Sequence, residues 1–553
     1  MNKTLKIGVV IDNDLISNYL ADLITWSKNT EDIDISSYLY LHNYEEKQII
    51  KKSKLQKIVS ISFWKGYPNK KFKNFIVSFE KNRNLKNNKI HKHSVDKHNI
   101  KDFGLKKIDV YQKPTKSKLS FSATENSIDT IKEEQFDLLL RFNKKIIRGD
   151  LLTSTNFGIL SMHHGSDFNY RGGPSGFWEV YNSDNMSGYI IQQLTEELDN
   201  GNILFRGFIS TQKSWLLNKS ELNLRSFFYL KKIILEISKT HKLPNFLVNI
   251  PYSKSLNTDP TILEMIKYLF KKFKNKQKSK KYKNANNRYL VGYQEGEWGK
   301  LNYRNANFIK NPENTFLADP FIISKNYKNY CFLESYDYIL NKGTIDVYEL
   351  TPSTSKLLGT AIEEDFHLSF PYLIETEDEI YMIPESSKNR DIRIYKSTEF
   401  PLKWKLEKVL IDDIDASDSI IFHHNNLWWL LTNVDDLGLG DHNYQLNIYY
   451  SENLLSNDWK PHKLNPVILN PSHGRNGGFL KQDKNLYRVA QKYGFNQKYG
   501  EGITIRKIEE ITKETYREIE IASYDEFYNN NILGSHHLSS NNIFTVFDIW
   551  KSQ

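Results

Sequence analysis

Helical periodicity stops near residue 290, and that change divides the 553-residue chain into two parts that cannot share one fold class. Upstream, apolar strands alternate with helical patterns. "LKIGVVID" is a β-rich opening, and in the following "NDLISNYLADLITWS" Leu15, Ile16, Tyr19, Leu20, Leu23 and Ile24 recur at helical spacing. "SIDTIKEEQFDLLLRF" reads as a short helix running into a buried strand, and "FGILSMHH" as another strand. "GYIIQQLTEELDNGNILFRGFIS" reads as a hairpin with a turn at Asp199-Asn200-Gly201. The alternation predicts an open, mostly parallel α/β sheet, whose ligands sit at the carboxyl ends of strands.

Downstream, short aromatic strands recur between polar turns, as in Asp378 to Tyr381, Asn426 to Trp429 and Asn485 to Tyr487. Roughly four-strand units repeated over residues 290–553 predict an all-β propeller of five blades, with a pair of β-sandwiches as the alternative. The expected division is an α/β domain over 1–255, a basic helix and linker over 256–289, and the propeller over 290–553. In the linker, Ile262, Ile266, Leu269, Phe270 and Phe273 are expected on one face of an amphipathic helix. Such a helix either packs on the domain and leads into a tether, or rests on an anionic membrane surface.

The net charge of +10 is concentrated in two segments. Residues 51–118 carry 20 Lys or Arg against four acids, and residues 267–288 carry ten against none, so the remainder is acidic. That distribution argues against a nucleic-acid binder. The segment 51–118 reads as a solvated insertion or as a contact for an anionic partner. The single cysteine, Cys331, excludes an internal disulfide and fits a reducing compartment. With no secretory h-region at the start and no apolar run long enough to span a bilayer, a cytoplasmic location is expected. Oligomeric state is not legible.

The loop "SMHHGSDFNYRGGPSGFW" places chemistry at a strand end. Adjacent side chains on a strand point to opposite faces, so His163 and His164 cannot easily share a metal, and no metal is expected. Gly172, Gly173 and Pro174 allow a sharp turn and close approach of a ligand. "SMHHGSDFNYRG" and "DNGNI" are similar, in order and spacing, to the blocks N-x-H-P-S-L-L-P-x-Y-R-G and D-x-G-x-I of the formyltransferase family, which includes methionyl-tRNA, glycinamide ribonucleotide and sugar formyltransferases. The resemblance covers roughly residues 1–250. It implies a Rossmann-type, formyltransferase-like domain that takes 10-formyltetrahydrofolate as cofactor. It also implies His163 as the catalytic histidine, Asp199 as the carboxylate orienting it, and Ser161 where the family has a catalytic asparagine. His164, Asp167, Arg171 and Gly172 on the loop, with Arg141, Phe142 and Asn143 after the preceding strand, are the implied binding residues.

In the second part, "FLADPFI", "FHLSFPYLIETEDEIYMIPES", "DASDSIIFHHNNLWWLLTN", "GRNGGFLKQDKNLYRVAQ" and "GSHHLSS" are similar to five-bladed propellers related to family 43 glycoside hydrolases. They resemble especially the propeller domain of plant glucosamine inositolphosphorylceramide transferases. The resemblance implies a channel lined by Asp319, Glu385, Asp418, Arg475 and His536. The combined expectation is N-formylation of an amino sugar, nucleotide-linked or in a glycan, during surface-polysaccharide assembly. The alternative is a carbohydrate-binding or glycoside-processing propeller beside a degenerate formyltransferase-like domain.

Overall fold

In a computed structural model of the chain, residues 3–43, 61–84, 93–94, 96–113, 120–165, 170–197, 201–250, 256–284, 288–495, 498–524 and 532–551 are described. They form two compact units, 1–274 and 275–553.

The first unit is built on a seven-stranded mixed sheet. Strands β1 (Leu5–Ile11), β2 (Ile33–His42), β3 (Lys106–Tyr111), β4 (Leu138–Arg141) and β5 (Ile159–His164) run parallel. The antiparallel pair β6 (Met186–Gln193) and β7 (Asn202–Ser210) completes the order β7-β6-β5-β4-β1-β2-β3. The central strands are buried on both faces, which is why "KIGVVI" and "LLL" are continuous apolar runs instead of alternating ones. Leu39, Val110, Ile131, Leu139 and Ile159 meet in one cluster on this sheet.

Helix α1 (Asn18–Lys28) starts three residues later than its apolar spacing suggests. Leu15–Ser17 instead pairs with Lys97–Asn99, leaving Leu15 exposed, and the Ser17 hydroxyl accepts from the Leu20 N–H to cap the helix. Further helices are α2 (Ile61–Asn84), α3 (Glu125–Glu133), α4 (Phe177–Asn182), α5 (Trp215–Thr240) and α6 (Ile262–Asn284). Of the face expected to point inward in α6, Ile262, Ile266 and Leu269 are half-buried, whereas Phe270 and Phe273 are exposed. Met265 and Tyr268 are buried, while Tyr268 Oη and Lys272 Nζ both donate to the buried carboxylate of Glu80 on α2. A buried charge needs its partners more than a phenyl ring needs burial, so Glu80 sets the rotation of α6.

The second unit is a five-bladed propeller. Four consecutive blades begin at Thr315, Ser369, Ala416 and Asn476, each a meander of four antiparallel strands, the third with a fifth short strand at Ile468–Leu469. The fifth blade is composite. Its strands Leu538–Ser540 and Phe544–Lys551 come from the end of the chain, whereas Arg288–Glu295 and Asn307–Phe308 come from the start of the unit. Eight residue pairs, from Arg288↔Lys551 to Glu295↔Phe544, close the ring. The innermost strands contact their neighbours in turn, and Thr315–Lys325 meets Leu538–Ser540 to complete the circuit. Between blades the packing is aromatic, with Phe422 stacked on Phe479 at 4.6 Å.

The inner strands of blades four and five approach each other closely at Gly478, whose φ is +132°. A Cβ there would lie 2.1 Å from the Leu538 carbonyl oxygen. Gly478→Ala is therefore expected to destabilise the propeller by about 2 kcal/mol or more, from backbone strain and displacement of the inner strand. Chemical denaturation followed by tryptophan fluorescence measures this loss.

Candidate functional site

The channel residues follow from one device repeated in the innermost strands. In each of the first four blades the ladder between the first and second strands skips: Asp319-Pro320, Phe370-Pro371, Asp418-Ser419 and Gly477 stand outside the register. Asp319, Phe370 and Asp418 take left-handed backbone, with φ of 49°, 46° and 49°. For side chains that rarely adopt it, this conformation is costly and turns the residue out of the strand plane. The residues paired just before the skip are also equivalent. Ala318 faces Glu334, Ser369 faces Glu385, Ser417 faces Asn433 and Asn476 faces Ala490.

Two charge clusters result. In the first, Asp319 Oδ1 lies 3.0 Å from His536 Nε2, and His536 Nδ1 lies 3.1 Å from Asp548 Oδ1. Asp548, on the strand that closes the ring, also accepts from the backbone N–H groups of Asp319, His536 and His537 at 3.3, 2.9 and 3.1 Å. Burial alone would strip the charge from His536, but Asp548 and Asp319 outweigh it and raise its pKa to about 10. Burial likewise pushes Asp319 up, and the imidazolium beside it overrides that and holds the carboxyl below its ordinary range. The neighbouring His537, held between the rings of Phe321 and Phe370 at 4.5 and 5.3 Å, is driven by burial toward the neutral form.

The ligand atoms of Asp319, His536 and Asp548 lie within 4.8 Å of one another and could hold a cation. As an imidazolium, His536 has no lone pair to offer a metal, so the charged triad and a metal centre are mutually exclusive states.

In the second cluster, Arg475 Nε donates to Asp418 Oδ2 at 2.5 Å, and Gln491 Nε2 donates to the same oxygen at 3.1 Å. Arg475 is itself anchored on Asn443 Oδ1 at 3.0 Å. Beside this pair Glu385 is pushed up to about 8, first by burial and then by the charge of Asp418. Glu334 rises well above the carboxylate range through burial and the charges of Asp319 and Glu385, which ties the two clusters together. The structure thus brings together Asp319, Glu385, Asp418, Arg475 and His536, and adds Glu334, Gln491, His537 and Asp548, which the sequence reading missed. Glu334 carried a signal, because "FLES" and "IPES" are the same phrase one blade apart.

The first unit treats its expected residues differently. Arg141, at the end of β4, donates to Ser161 Oγ at 3.4 Å, to Asn143 Oδ1 at 3.3 Å and to the Lys145 carbonyl at 3.1 Å. Phe142 stacks on Phe227 of α5 at 5.7 Å. His164 Nε2 pairs with Ser226 Oγ at 2.8 Å, and burial drives its pKa down to about 3. His163 is half-buried one residue earlier on the strand, where alternation directs it to the other face. The Arg171 carbonyl accepts from the Asn257 backbone at 2.9 Å, and Gly172, at φ +88°, lies where a Cβ would be 2.2 Å from the Asn257 oxygen. Asp167 and Asp199 lie outside the described residues. Arg141, Asn143 and Ser161 therefore form one strand-end hydrogen-bonded group, and His164 belongs to the packing against α5.

An acid-rich channel in a closed five-bladed propeller is the feature that the second unit defines. Residues 304–540 match the family described as glucosamine inositolphosphorylceramide transferase 1, N-terminal. The chain is 42% identical over 213 residues to glucosamine inositolphosphorylceramide transferase 1 of Arabidopsis thaliana, a match covering 37% of this chain. The match spans about a quarter of that relative's length, 27%. Among solved structures, a family 117 glycoside hydrolase of Zobellia galactanivorans aligns at 14% identity, over 48% of this chain and 91% of its own, with a TM-score of 0.32. A sugar N-formyltransferase from Shewanella aligns at 16%, over 48% and 87%, with a TM-score of 0.28. Scores this low carry no argument.

These matches correct the expected activity. The curated relative is named for transfer of glucosamine to a sphingolipid-type acceptor, a glycosyl-type transfer, so formyl transfer from 10-formyltetrahydrofolate is withdrawn together with that cofactor. In the strand-end loop the Ser161 hydroxyl accepts from Arg141, and burial drives His164 toward the neutral form. The alternative of a glycan-binding or glycoside-processing protein with a degenerate first domain does not fit a transferase relative either.

The His536 triad makes stability depend on pH. A histidine whose folded pKa is raised stabilises fully below its unfolded value of 6.5, and that contribution disappears as pH rises toward about 10. Glu385, raised to about 8, acts in the same direction over a lower range. His536→Gln is expected to abolish the loss between pH 8 and 10 and to cost about 3–5 kcal/mol near neutrality, by leaving Asp319 and Asp548 without their cation. Thermal melts across pH, wild type against variant, read both effects.

Proposed function

We propose that the propeller holds a glycosyl group over its carboxylates during sugar transfer, with an amino sugar as the group moved and an inositol-phosphate lipid as the acceptor class. The observation that carries the reading is the pairing of Glu385, protonated up to about pH 8, with Asp418 clamped by Arg475. A carboxyl group that keeps its proton, Glu385, near a carboxylate held below its ordinary range, Asp319, meets the requirement of acid–base chemistry at a glycosidic carbon. The substrate class is supported by the name of the curated relative.

In this reading Glu385 donates its proton to the oxygen leaving the anomeric carbon, and the Asp319 carboxylate stabilises the positive charge that develops on the sugar ring. The acceptor hydroxyl then attacks the anomeric carbon and returns its proton to Glu385. Asp418 and Arg475 are positioning residues, since the charge of one raises the pKa of Glu385 and the other fixes the orientation of Asp418.

Glu385→Gln removes the transferable proton and is expected to lower turnover about 10² to 10⁴-fold while leaving the melting curve and saccharide binding in place. The assay follows radiolabelled glucosamine from a nucleotide-activated donor into inositolphosphorylceramide. Wild-type activity should fall on the alkaline side near pH 8. Unchanged turnover in Glu385→Gln would remove Glu385 from the chemistry, and absence of both transfer and saccharide binding in the wild type would overturn the proposal.

A further inference from the structure

The rotation of α6 leaves a face that the sheet does not cover. A capping box fixes its start: the Thr261 backbone N–H donates to Glu264 Oε2 at 2.8 Å, and the Glu264 N–H donates back to Thr261 Oγ1 at 3.3 Å. With Met265 and Tyr268 buried and Lys272 tied to Glu80, the positions 263, 267, 270 and 274 form one outward stripe, at helical steps of four, three and four. It reads Leu263, Lys267, Phe270, Lys274, and Phe273 flanks it. Leu263, Phe270 and Phe273 are 71%, 72% and 62% exposed, unusual for three large apolar side chains within about three helical turns. The two lysines are exposed as well. The neighbouring α2 exposes Phe75 and Phe79.

We propose that this face of α6 docks on an anionic lipid bilayer, with Leu263, Phe270 and Phe273 entering the headgroup boundary and the lysines meeting the lipid charge. The occupant is argued from charge. Residues 267–288 carry ten cations, and after Glu264 in the first turn the next acid is Glu295, so the chain from 265 to 294 offers one sign of charge. A protein partner would have to present acids at matching points, whereas an anionic bilayer supplies a diffuse negative surface that any spacing of lysines satisfies. Apolar insertion and charge act together, because neither a few lysines nor a few rings hold a protein on a membrane alone. The inference concerns a different part of the chain from the channel and does not rest on the sugar reading.

The experiment is co-sedimentation of the full chain with vesicles of phosphatidylcholine alone and of phosphatidylcholine mixed with phosphatidylserine. Wild type is expected to sediment with the mixed vesicles, to stay in solution with the neutral ones, and to be released by salt. Phe270→Ser with Phe273→Ser is expected to weaken binding about tenfold or more. Lys267→Gln with Lys274→Gln is expected to weaken it about fivefold per lysine and to reduce its salt dependence. Both pairs are surface changes, and an unchanged melting curve verifies that the fold is kept. Failure of wild type to bind the mixed vesicles overturns the proposal, as does equal binding by both variants. Light scattering supplies a further outcome: self-association of wild type that Phe270→Ser abolishes would assign the face to a second copy of the chain and overturn membrane docking.

Discussion

The strand pairing of Arg288–Glu295 with Phe544–Lys551 is the constraint on which the second unit depends. A ring of blades has two free edges until its first and last segments meet, and each open edge would expose a row of unsatisfied N–H and C=O groups. Closure here also completes the channel. Asp548 lies on the closing strand and accepts from three backbone N–H groups, two of them in the Gly534 to Ser540 segment and one at the Asp319 skip of the first blade. Stability and chemistry therefore share a residue: the carboxylate that ties the ends of the ring together also supports the imidazolium that keeps Asp319 charged.

Inside the channel, burial and charge work against each other with different results at neighbouring residues. Asp319 remains low because a cation lies 3.0 Å away, and Glu385 rises first through burial and then through the charge of Asp418. The same low-dielectric surroundings amplify both effects. A second buried network in the fourth blade shows the structural use of such pairs. Glu518, bonded by Arg488 and Arg506, overcomes burial and falls to about 2, and it ties the second, third and fourth strands of that blade together.

Much of the architecture was legible from residues. The loss of helical spacing near 290, the aromatic strands at regular intervals and the phrases around Asp319, Asp418 and His536 pointed to five blades and to the channel acids. Glu334 was hidden although its "FLES" repeats "IPES", because a two-letter likeness is invisible until the blades are superimposed. Asp548 was hidden for another reason: "FDIW" reads as an ordinary strand, and only ring closure carries it to the channel. In the first unit the likeness of "SMHHGSDFNYRG" to a catalytic loop led to the wrong activity. The order of residue types in a loop does not reveal that a hydroxyl is already engaged by Arg141 or that His164 faces a helix.

The sequence by itself determined the kind and order of the elements, which runs are buried on both faces, and where cations accumulate. These are local properties, set by periodicity, capping and composition over a few residues. Tertiary structure decided which charges meet. Asp319 lies more than two hundred residues before His536 and Asp548, and the three become one triad only when the ring closes. Likewise α6 was written as an amphipathic helix with its phenylalanines inward, and a single buried carboxylate, Glu80, turned it so that Phe270 and Phe273 face outward. The physical reason is the same in both places. Desolvating a charge costs more than exposing a ring, so the long-range pairing of buried charges overrides the local preference of apolar side chains.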